Sequence, residues 1–359
     1  MVRRTGKKGK AGKVNKGNLN SPLEINAPQG RDNSSEGSPF LKILIFVGVI
    51  LAFLYGPSLF KGIFQGGIKE GLQAVSQPPS KIFSVKKIIQ FSGSDTQGKP
   101  FFANDIIAVG SHELAVTDNL GGQVLIYDLK GKLVRKWGKN GMGPKDFREP
   151  SGIATDGKGH LFVMDTMNNA IKTFDVEGKL LHTQDLAHYG VFPTPRRIGF
   201  EKNCFLITNN GDNRLFRLSQ SGELLSTWGE KNVCSGGLWS VSKTICDPKG
   251  KFYVGNLSSK NSTVQVFDPL GNIAQVIKTG VPSDSLALDS QGRLFVGSYG
   301  EASKVFDSTG NWLGFLVDEA QPTLMLNQVA GIDIQPNGTL LTCGGDNVTI
   351  YQITQEKEK

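Results

Sequence analysis

A four-residue turn signal recurs through this chain and constrains its fold more than any other feature. It consists of Asp or Ser, two variable residues and Gly, followed by an apolar pair. The first set of these turns begins at Asp128, Asp175, Ser219, Asp268 and Asp307. The acidic or hydroxyl side chain accepts a hydrogen bond from the backbone two residues on, and glycine takes the positive-φ position that closes the turn. Short runs of strand-forming residues stand on both sides, so each turn predicts a β-hairpin.

A second set of turns alternates with the first. Its members begin at Asp156, Asp247, Asp289 and Gln335, with degenerate members at Val109 and Glu201. The two sets together define a unit of four strands, a to d, which repeats every 39–49 residues. That period and strand number are typical of propeller blades. The sequence therefore predicts an all-β fold, a six-bladed β-propeller of four-stranded antiparallel blades over residues 85–354, with 355–359 as a C-terminal tail.

The strand count also predicts how the ring closes. The sixth unit ends after its third strand, whereas one strand, residues 85–91, is left over before the first unit. We expect this strand to supply the outer strand of blade six, because such pairing removes an open sheet edge.

The region before residue 85 predicts a tether. Residues 1–39 are basic and polar, which is typical of a disordered tail. Residues 43–60 form an uncharged apolar run, so 40–62 is interpreted as a transmembrane helix acting as a signal anchor and 63–84 as a linker. Basic residues before the helix place the tail in the cytoplasm and the propeller in the periplasm or outside the cell. A cleaved signal peptide is the alternative.

The charge distribution bears on the partners. The net charge is +8, but residues 1–42 contain nine Lys or Arg against three Asp or Glu. The propeller is therefore close to neutral, which argues against a nucleic-acid partner. The cysteines, Cys204, Cys234, Cys246 and Cys343, show no metal-binding spacing and are interpreted mainly as buried apolar residues.

One blade carries a family resemblance. Residues 150–184, PSGIATDGKGHLFVMDTMNNAIKTFDVEGKLLHTQ, resemble an NHL repeat in the order of Pro-x-Gly-Ile-Ala, Asp-x-x-Gly, a strand ending in Asp, Asn, and a strand ending in Phe-Asp. The Trp-Gly pairs at Trp137 and Trp228 are also similar to that family. The resemblance implies a ring with a central channel and a top face formed by the d–a and b–c loops.

Polar residues are expected on that top face. The binding candidates are Asp118, Asn119, Asp165, Asn168, Arg196, Arg197, Asn210, Asp212, Asn213, Asn256 and Asp346. Carboxylate and amide oxygens suit calcium, which is the candidate cofactor. The competing interpretation is that these Asp and Asn residues cap turns. Arg196 and Arg197 either contact an acidic partner or form a solvated pair.

No catalytic motif stands out in the sequence. The four histidines occupy unrelated blade positions, which argues against a zinc site, and no nucleophile elbow is present. We therefore expect a membrane-tethered, non-enzymatic binding or scaffold module that recognises a protein or a glycan through its loop face. The alternative is a calcium- or zinc-dependent propeller enzyme, a lactonase-like or strictosidine-synthase-like hydrolase or a lyase.

Overall fold

The computed structural model describes residues 81–92, 101–187, 194–229, 238, 240–257 and 262–354. The predicted tail, transmembrane helix and nearly all of the linker lie outside these residues. Among the described residues, no helix has the length and apolar character needed to cross a membrane. The same part of the chain contains twenty-four β-strands and one 3₁₀ turn at Thr166–Asn168.

The strands follow the predicted order. The first strand is β1 (Ile82–Ser92). Blade one is β2 (Ala103–Val109), β3 (Glu113–Asp118), β4 (Gln123–Asp128) and β5 (Leu133–Trp137). Blade two is β6 (Pro150–Thr155), β7 (His160–Asp165), β8 (Ala170–Asp175) and β9 (Leu180–Asp185). Blade three is β10 (Pro195–Glu201), β11 (Cys204–Asn209), β12 (Arg214–Ser219) and β13 (Leu224–Trp228).

The remaining blades continue the pattern. Blade four is β14 (Val241–Cys246), β15 (Phe252–Asn256), β16 (Thr263–Phe267) and β17 (Ile273–Lys278). Blade five is β18 (Ser285–Leu288), β19 (Leu294–Gly297), β20 (Lys304–Phe306) and β21 (Trp312–Asp318). Blade six begins with β22 (Gly331–Ile334), β23 (Thr339–Gly344) and β24 (Asn347–Ile353). The predicted all-β propeller with four-stranded blades is confirmed.

The first strand closes the ring as predicted. β1 pairs antiparallel with β24, from Val85 opposite Ile353 to Ser92 opposite Asn347, and so provides the fourth strand of blade six. One feature was not predicted. The start of β1 also pairs parallel with β21, with Ile82 opposite Phe315, which joins blades five and six into one eight-stranded sheet.

The recurrent turns have the predicted geometry. In the first of them, Asp128 Oδ1 accepts the backbone N–H groups of Lys130 and Lys132, both at 2.9 Å, and Gly131 has a φ of +79°. The degenerate turn after Glu201 differs. There Lys202 and Asn203 both have positive φ, and Glu201 pairs directly with Cys204 in a two-residue hairpin. A shorter turn therefore explains why no glycine is needed before β11.

The hydrophobic core consists of six clusters, each between two neighbouring blades, rather than one central mass. β1 contributes to two of them. Phe83 and Val85 belong to the cluster between blades five and six, and Ile89 and Phe91 pack against the cluster between blades six and one. Among the described cysteines, Cys204 and Cys343 are buried free thiols, as interpreted from the sequence, and Cys246 is half-buried. Cys234 lies outside the described residues.

The closure can be tested within β1 itself. The Phe83 ring is fully buried and meets Phe295 of blade five edge-on at 5.3 Å between centroids, whereas Ile88 is 57% exposed. Phe83→Ala should lower the free energy of unfolding by roughly 3–5 kcal/mol, the usual cost of emptying such a site. Ile88→Ala, the control in the same strand, should change it by less than about 0.5 kcal/mol.

A second measurement tests the whole strand. Deleting residues 81–93 should lower the thermal midpoint far more than removing residues 1–75. Equal effects of the two deletions, or of the two alanine variants in denaturant titrations, would mean that β1 does not hold the ring together.

Candidate functional site

Six inner strands surround the central channel, and each leaves one hydrogen-bonding edge unpaired. Buried backbone N–H groups on such an edge need partners. Side chains from the neighbouring blade supply them. Three of these bonds are Asp105 Oδ2 with the N–H of Ile153 (3.1 Å), Ser285 Oγ with the N–H of Ile332 (2.9 Å) and Asp333 Oδ2 with the N–H of Ala108 (2.7 Å). Channel side chains therefore link blade one to two, five to six and six to one.

Three buried charges meet in the channel, and we call them the channel plug: Asp105, Arg197 and Lys243. Lys243 Nζ lies 2.7 Å from Asp105 Oδ1, and Arg197 Nη1 lies 3.7 Å from Asp105 Oδ2. All three residues are at most 5% exposed. Blades one, three and four each contribute one of them, so the plug connects strands that share no backbone hydrogen bond.

The Arg197 guanidinium also crosses the channel. Its Nη1 donates to the carbonyl oxygens of Asn104 (2.9 Å) and Ser151 (2.5 Å), and its Nη2 donates to that of Ala330 (3.2 Å). These carbonyls belong to blade one, blade two and the approach to blade six. One planar cation thus satisfies acceptors around much of the ring, a geometry that guanidinium suits better than ammonium.

The structure corrects the expected position of Arg197. The sequence analysis placed it with Arg196 on a loop of the top face. Both residues instead lie in β10, where successive side chains point to opposite sides. Arg196 is exposed, and Arg197 is buried in the plug. The two arginines therefore do not form one surface contact.

Asp333 lies further along the channel, toward the a–b turns. Burial raises the pKa of its carboxyl group, and the positive charge of Lys243 partly opposes that rise. Sequence reasoning missed Asp105, Lys243 and Asp333. The available signal was the presence of charged residues inside the first strands of blades one, four and six.

Two of the predicted acidic residues on the b–c loops hold neighbouring loops in place through hydrogen bonds. Asp118 and Asp165 are fully buried at the ends of their b strands. Asp118 Oδ1 accepts the N–H of Phe102 at 3.0 Å, and Asp165 Oδ1 accepts the N–H of Arg148 at the same distance. Asp165 also forms an ion pair with Lys172 at 3.0 Å. Both carboxylates tie the b strand to the preceding d–a loop, which is the turn-capping interpretation.

The predicted asparagines are spread around the ring in similar roles. Asn119 donates its backbone N–H to a d–a loop carbonyl, and Asn168 Nδ2 donates to Gly141 O at 3.0 Å. Asn213 has a left-handed φ of 58°, and its side chain accepts the N–H of Ser240. Buried amide oxygens without a protein partner among the described residues occur in Asn168, Asn210 and Asn256.

The last two acidic candidates differ in exposure. Asp212 is half-buried, accepts the N–H of Arg214 at 3.2 Å, and has a pKa raised by that burial. Asp346 is exposed and accepts the side-chain amide of Asn347. Within the described ranges, no three His, Cys, Asp or Glu side chains lie close enough together to hold a metal ion. The expected calcium stays a prediction that these observations do not test.

Exposed apolar side chains are the main feature of the top face that the sequence analysis missed. Five of them stand on its b–c and d–a loops: Leu120 (56% exposed), Met142 (78%), Met167 (52%), Tyr299 (44%) and Leu324 (51%). Tyr299 lies on a loop of blade five, and its ring centroid is 6.0 Å from that of Phe102, which directly precedes blade one. Exposed charges on Arg148 and Arg196 lie on the same face.

Comparisons with known proteins agree with this architecture. The model of the DUF5128 family, described as a 6-bladed beta-propeller, matches residues 103–254. The fold is a six-bladed β-propeller. The B-box type zinc finger protein ncl-1 of Caenorhabditis elegans is 27% identical over 146 residues, which are 39% of this chain but only 16% of that protein.

Solved structures show the same fold in proteins of different kinds. A catalytically inactive virginiamycin B lyase from Staphylococcus aureus, with quinupristin, has a TM-score of 0.53 and 13% identity over 74% of this chain and 99% of its own. The WD40 beta propeller domain of Doa1 has a TM-score of 0.52 and 12% identity over 76% of this chain and 98% of its own. At such identities the likeness concerns the fold alone.

The plug can be tested with a matched pair of lysines. Lys243→Met leaves the buried Asp105 carboxylate without its closest cation, so the free energy of unfolding should fall by roughly 3–5 kcal/mol. Lys202 is exposed and pairs with the half-buried Glu201 at 3.3 Å, and Lys202→Met should cost less than about 1 kcal/mol. Denaturant titration at one pH measures both. A small loss for Lys243→Met would show that the plug does not stabilise the ring.

Proposed function

We propose that this chain is a membrane-tethered binding module that recognises a partner protein through the top face of its propeller. The observation that carries the proposal is the group of exposed apolar side chains on the top-face loops, Leu120, Met142, Met167, Tyr299 and Leu324. Exposed apolar groups beside polar and charged ones are typical of protein interaction sites, and Met and Tyr are enriched in them.

The channel supports a binding role rather than catalysis. Its buried charges already satisfy one another and the inner-strand backbone. Arg197 lies beneath the top entrance, and its guanidinium N–H groups donate to carbonyl oxygens. A group so fully paired is poorly placed to bind or activate a substrate. The top face therefore offers a surface, and the chemistry of that surface favours a protein over a glycan.

The partner can be sought by site-specific photo-crosslinking in the cells from which the gene comes. A photoreactive phenylalanine analogue at Met142 or Met167 should give one discrete adduct with a protein. The control position is Leu270, which is 83% exposed but lies on a c–d turn at the opposite face. It should give no such adduct, because the partner covers only the top face.

Two results would contradict this proposal. One is the same adduct from all three positions, or none from any of them. The other is an adduct that disappears after glycosidase treatment while no polypeptide remains attached, since the ligand would then be a glycan.

The tether is the second part of the proposal, and it rests on the uncharged run at residues 43–60 with its basic flank. The full-length chain should stay in the membrane pellet after a carbonate wash, and so should a control that lacks only residues 1–39. A variant that lacks residues 1–80 should move to the supernatant with an unchanged thermal midpoint. Release of the full-length chain by carbonate would contradict anchoring.

A further inference from the structure

A cleft of about 360 Å³ lies between the connection from blade five to blade six and the strands of blade six. One wall is formed by residues 321–329 of that connection, and the other by β23, β24 and β1. Its rim is open to solvent, since Gln90, Gln321 and Gln328 are exposed. Ligand pockets usually have about 300–1,000 Å³, so this cleft suits a small molecule.

The cleft is polar at a position where the other blades are apolar. Thr342 of β23 lines it together with Thr349 and Tyr351, and these three residues are 5–7% exposed and form its floor. In the other five blades the position of Thr342 holds a branched apolar residue of the hydrophobic cluster shared with the preceding blade: Val116, Val163, Ile207, Val254 and Val296. A polar floor favours a ligand that forms hydrogen bonds over an apolar one.

The charges that line the cleft are paired. Among its described lining residues only Lys87 and Asp318 are charged, and Lys87 Nζ lies 3.2 Å from Asp318 Oδ2. Burial, followed by the nearby Asp318, raises the pKa of Tyr351 to about 12, so its hydroxyl group is uncharged at neutral pH. Three exposed charged residues adjoin the cleft without lining it: Lys86, Glu319 and Asp346. The described lining therefore holds no unpaired charge that would select a charged ligand.

The rim combines amide groups with a small apolar surface. Gln90 Nε2 donates to Asn347 Oδ1 at 3.0 Å, and Gln321 is exposed on the opposite wall. Leu324, which is 51% exposed, and the half-buried Met325 also belong to that wall. Amides both donate and accept hydrogen bonds. This combination matches a ring that has hydroxyl groups around its edge and C–H groups on its faces.

We propose that this cleft binds one sugar ring, either a free monosaccharide or the terminal residue of a glycan. The hydroxyl groups exchange hydrogen bonds with the amides of Gln90 and Gln321 and accept one from Lys87 Nζ. The C–H face packs against Leu324. This site goes beyond the binding of a partner protein and requires neither that partner nor the tether.

The first experiment titrates glucose, galactose and mannose into the full-length chain by isothermal titration calorimetry, in a detergent without a sugar head group. At least one sugar should bind with a roughly millimolar dissociation constant, as expected for a ligand of this size. Its 2-amino and uronic acid analogues should bind at least roughly five-fold more weakly, because each replaces a hydroxyl group with an unpaired charge. No heat from any of the three sugars, or tighter binding of a charged analogue, would overturn the proposal.

A second arm of this titration distinguishes the two sources of the sugar. The methyl α- and β-glycosides of the best sugar carry a methyl group at the position where a glycan would continue. A glycoside that binds as tightly as the sugar identifies the end of a glycan as the ligand. Loss of binding by both glycosides identifies a free monosaccharide.

The second experiment removes one amide of the rim. Gln90→Leu should weaken binding roughly five-fold, the value of one hydrogen bond, and should change the thermal midpoint little because the side chain is exposed. Gln220→Leu, the control at an exposed position of a c–d turn on the opposite face, should leave the affinity unchanged. Equal affinities of the two variants would place the ligand elsewhere and overturn the proposed site.

The third experiment separates the ion pair. Asp318 Oδ1 accepts the N–H of Ala320 at 3.1 Å, and Asp185 Oδ1 accepts that of Ala187 at 2.8 Å at the end of the same strand of blade two. Asp318→Asn leaves Lys87 without its counter-charge, so the uronic acid analogue should become the tightest ligand. Asp185→Asn, the matched control, should leave the ranking unaltered. The same unaltered ranking in Asp318→Asn would mean that the ligand does not contact this pair, and the proposed site would be wrong. Purified chain without a partner gives all these results, so they do not depend on the top face.

Discussion

The unpaired inner edge of each blade is the constraint on which the rest of this propeller depends. A blade hydrogen-bonds its four strands to one another, but its first strand faces a narrow channel with no further strand to pair with. The structure resolves this with side chains of the neighbouring blade, such as Asp105 toward Ile153 and Asp333 toward Ala108. Once carboxylates occupy the channel they need cations, and Lys243 and Arg197 meet that need for Asp105. The Asp105 carboxylate that accepts a backbone N–H group is therefore the same group that the two cations neutralise.

Channel side chains can reach the backbone of the neighbouring blade because the inner strands approach one another closely. A Cβ on Gly331 would come within 2.9 Å of Asp105 Cα, and one on Gly152 within 3.0 Å of Arg197 Cα. Glycine at these positions lets adjacent blades approach until their side chains reach each other's backbone. The outer side of the ring uses a different device, because β1 contributes to the hydrophobic clusters on both sides of blade six. Ion pairs in the channel and apolar packing of β1 at the outer side both hold the ring closed.

Much of the fold could be predicted because its chemistry is local and repeated. An Asp, two residues and a Gly define a hairpin wherever they occur, so strand number, blade period and the role of β1 followed from counting. The plug could not be predicted in this way, because Asp105, Arg197 and Lys243 come from three blades and meet only after the ring closes. Arg197 shows the limit most clearly: it was assigned to a loop, but β10 begins at Pro195, and the Arg197 side chain is buried in the channel. For Asp118 and Asp165, the residue types fitted both a cation site and a turn cap, and their burial and hydrogen bonds favour the cap.

The plug also separates the two ends of the channel. Above it, Arg197 holds the carbonyl oxygens of Asn104, Ser151 and Ala330 near the top entrance. Below it, Lys243 and Asp333 line a cavity of about 240 Å³ to which all six inner strands contribute. Asp105 contacts both cations and so connects the two ends. Loss of this one carboxylate would therefore leave two buried cations without their counter-charge, one toward each end of the channel.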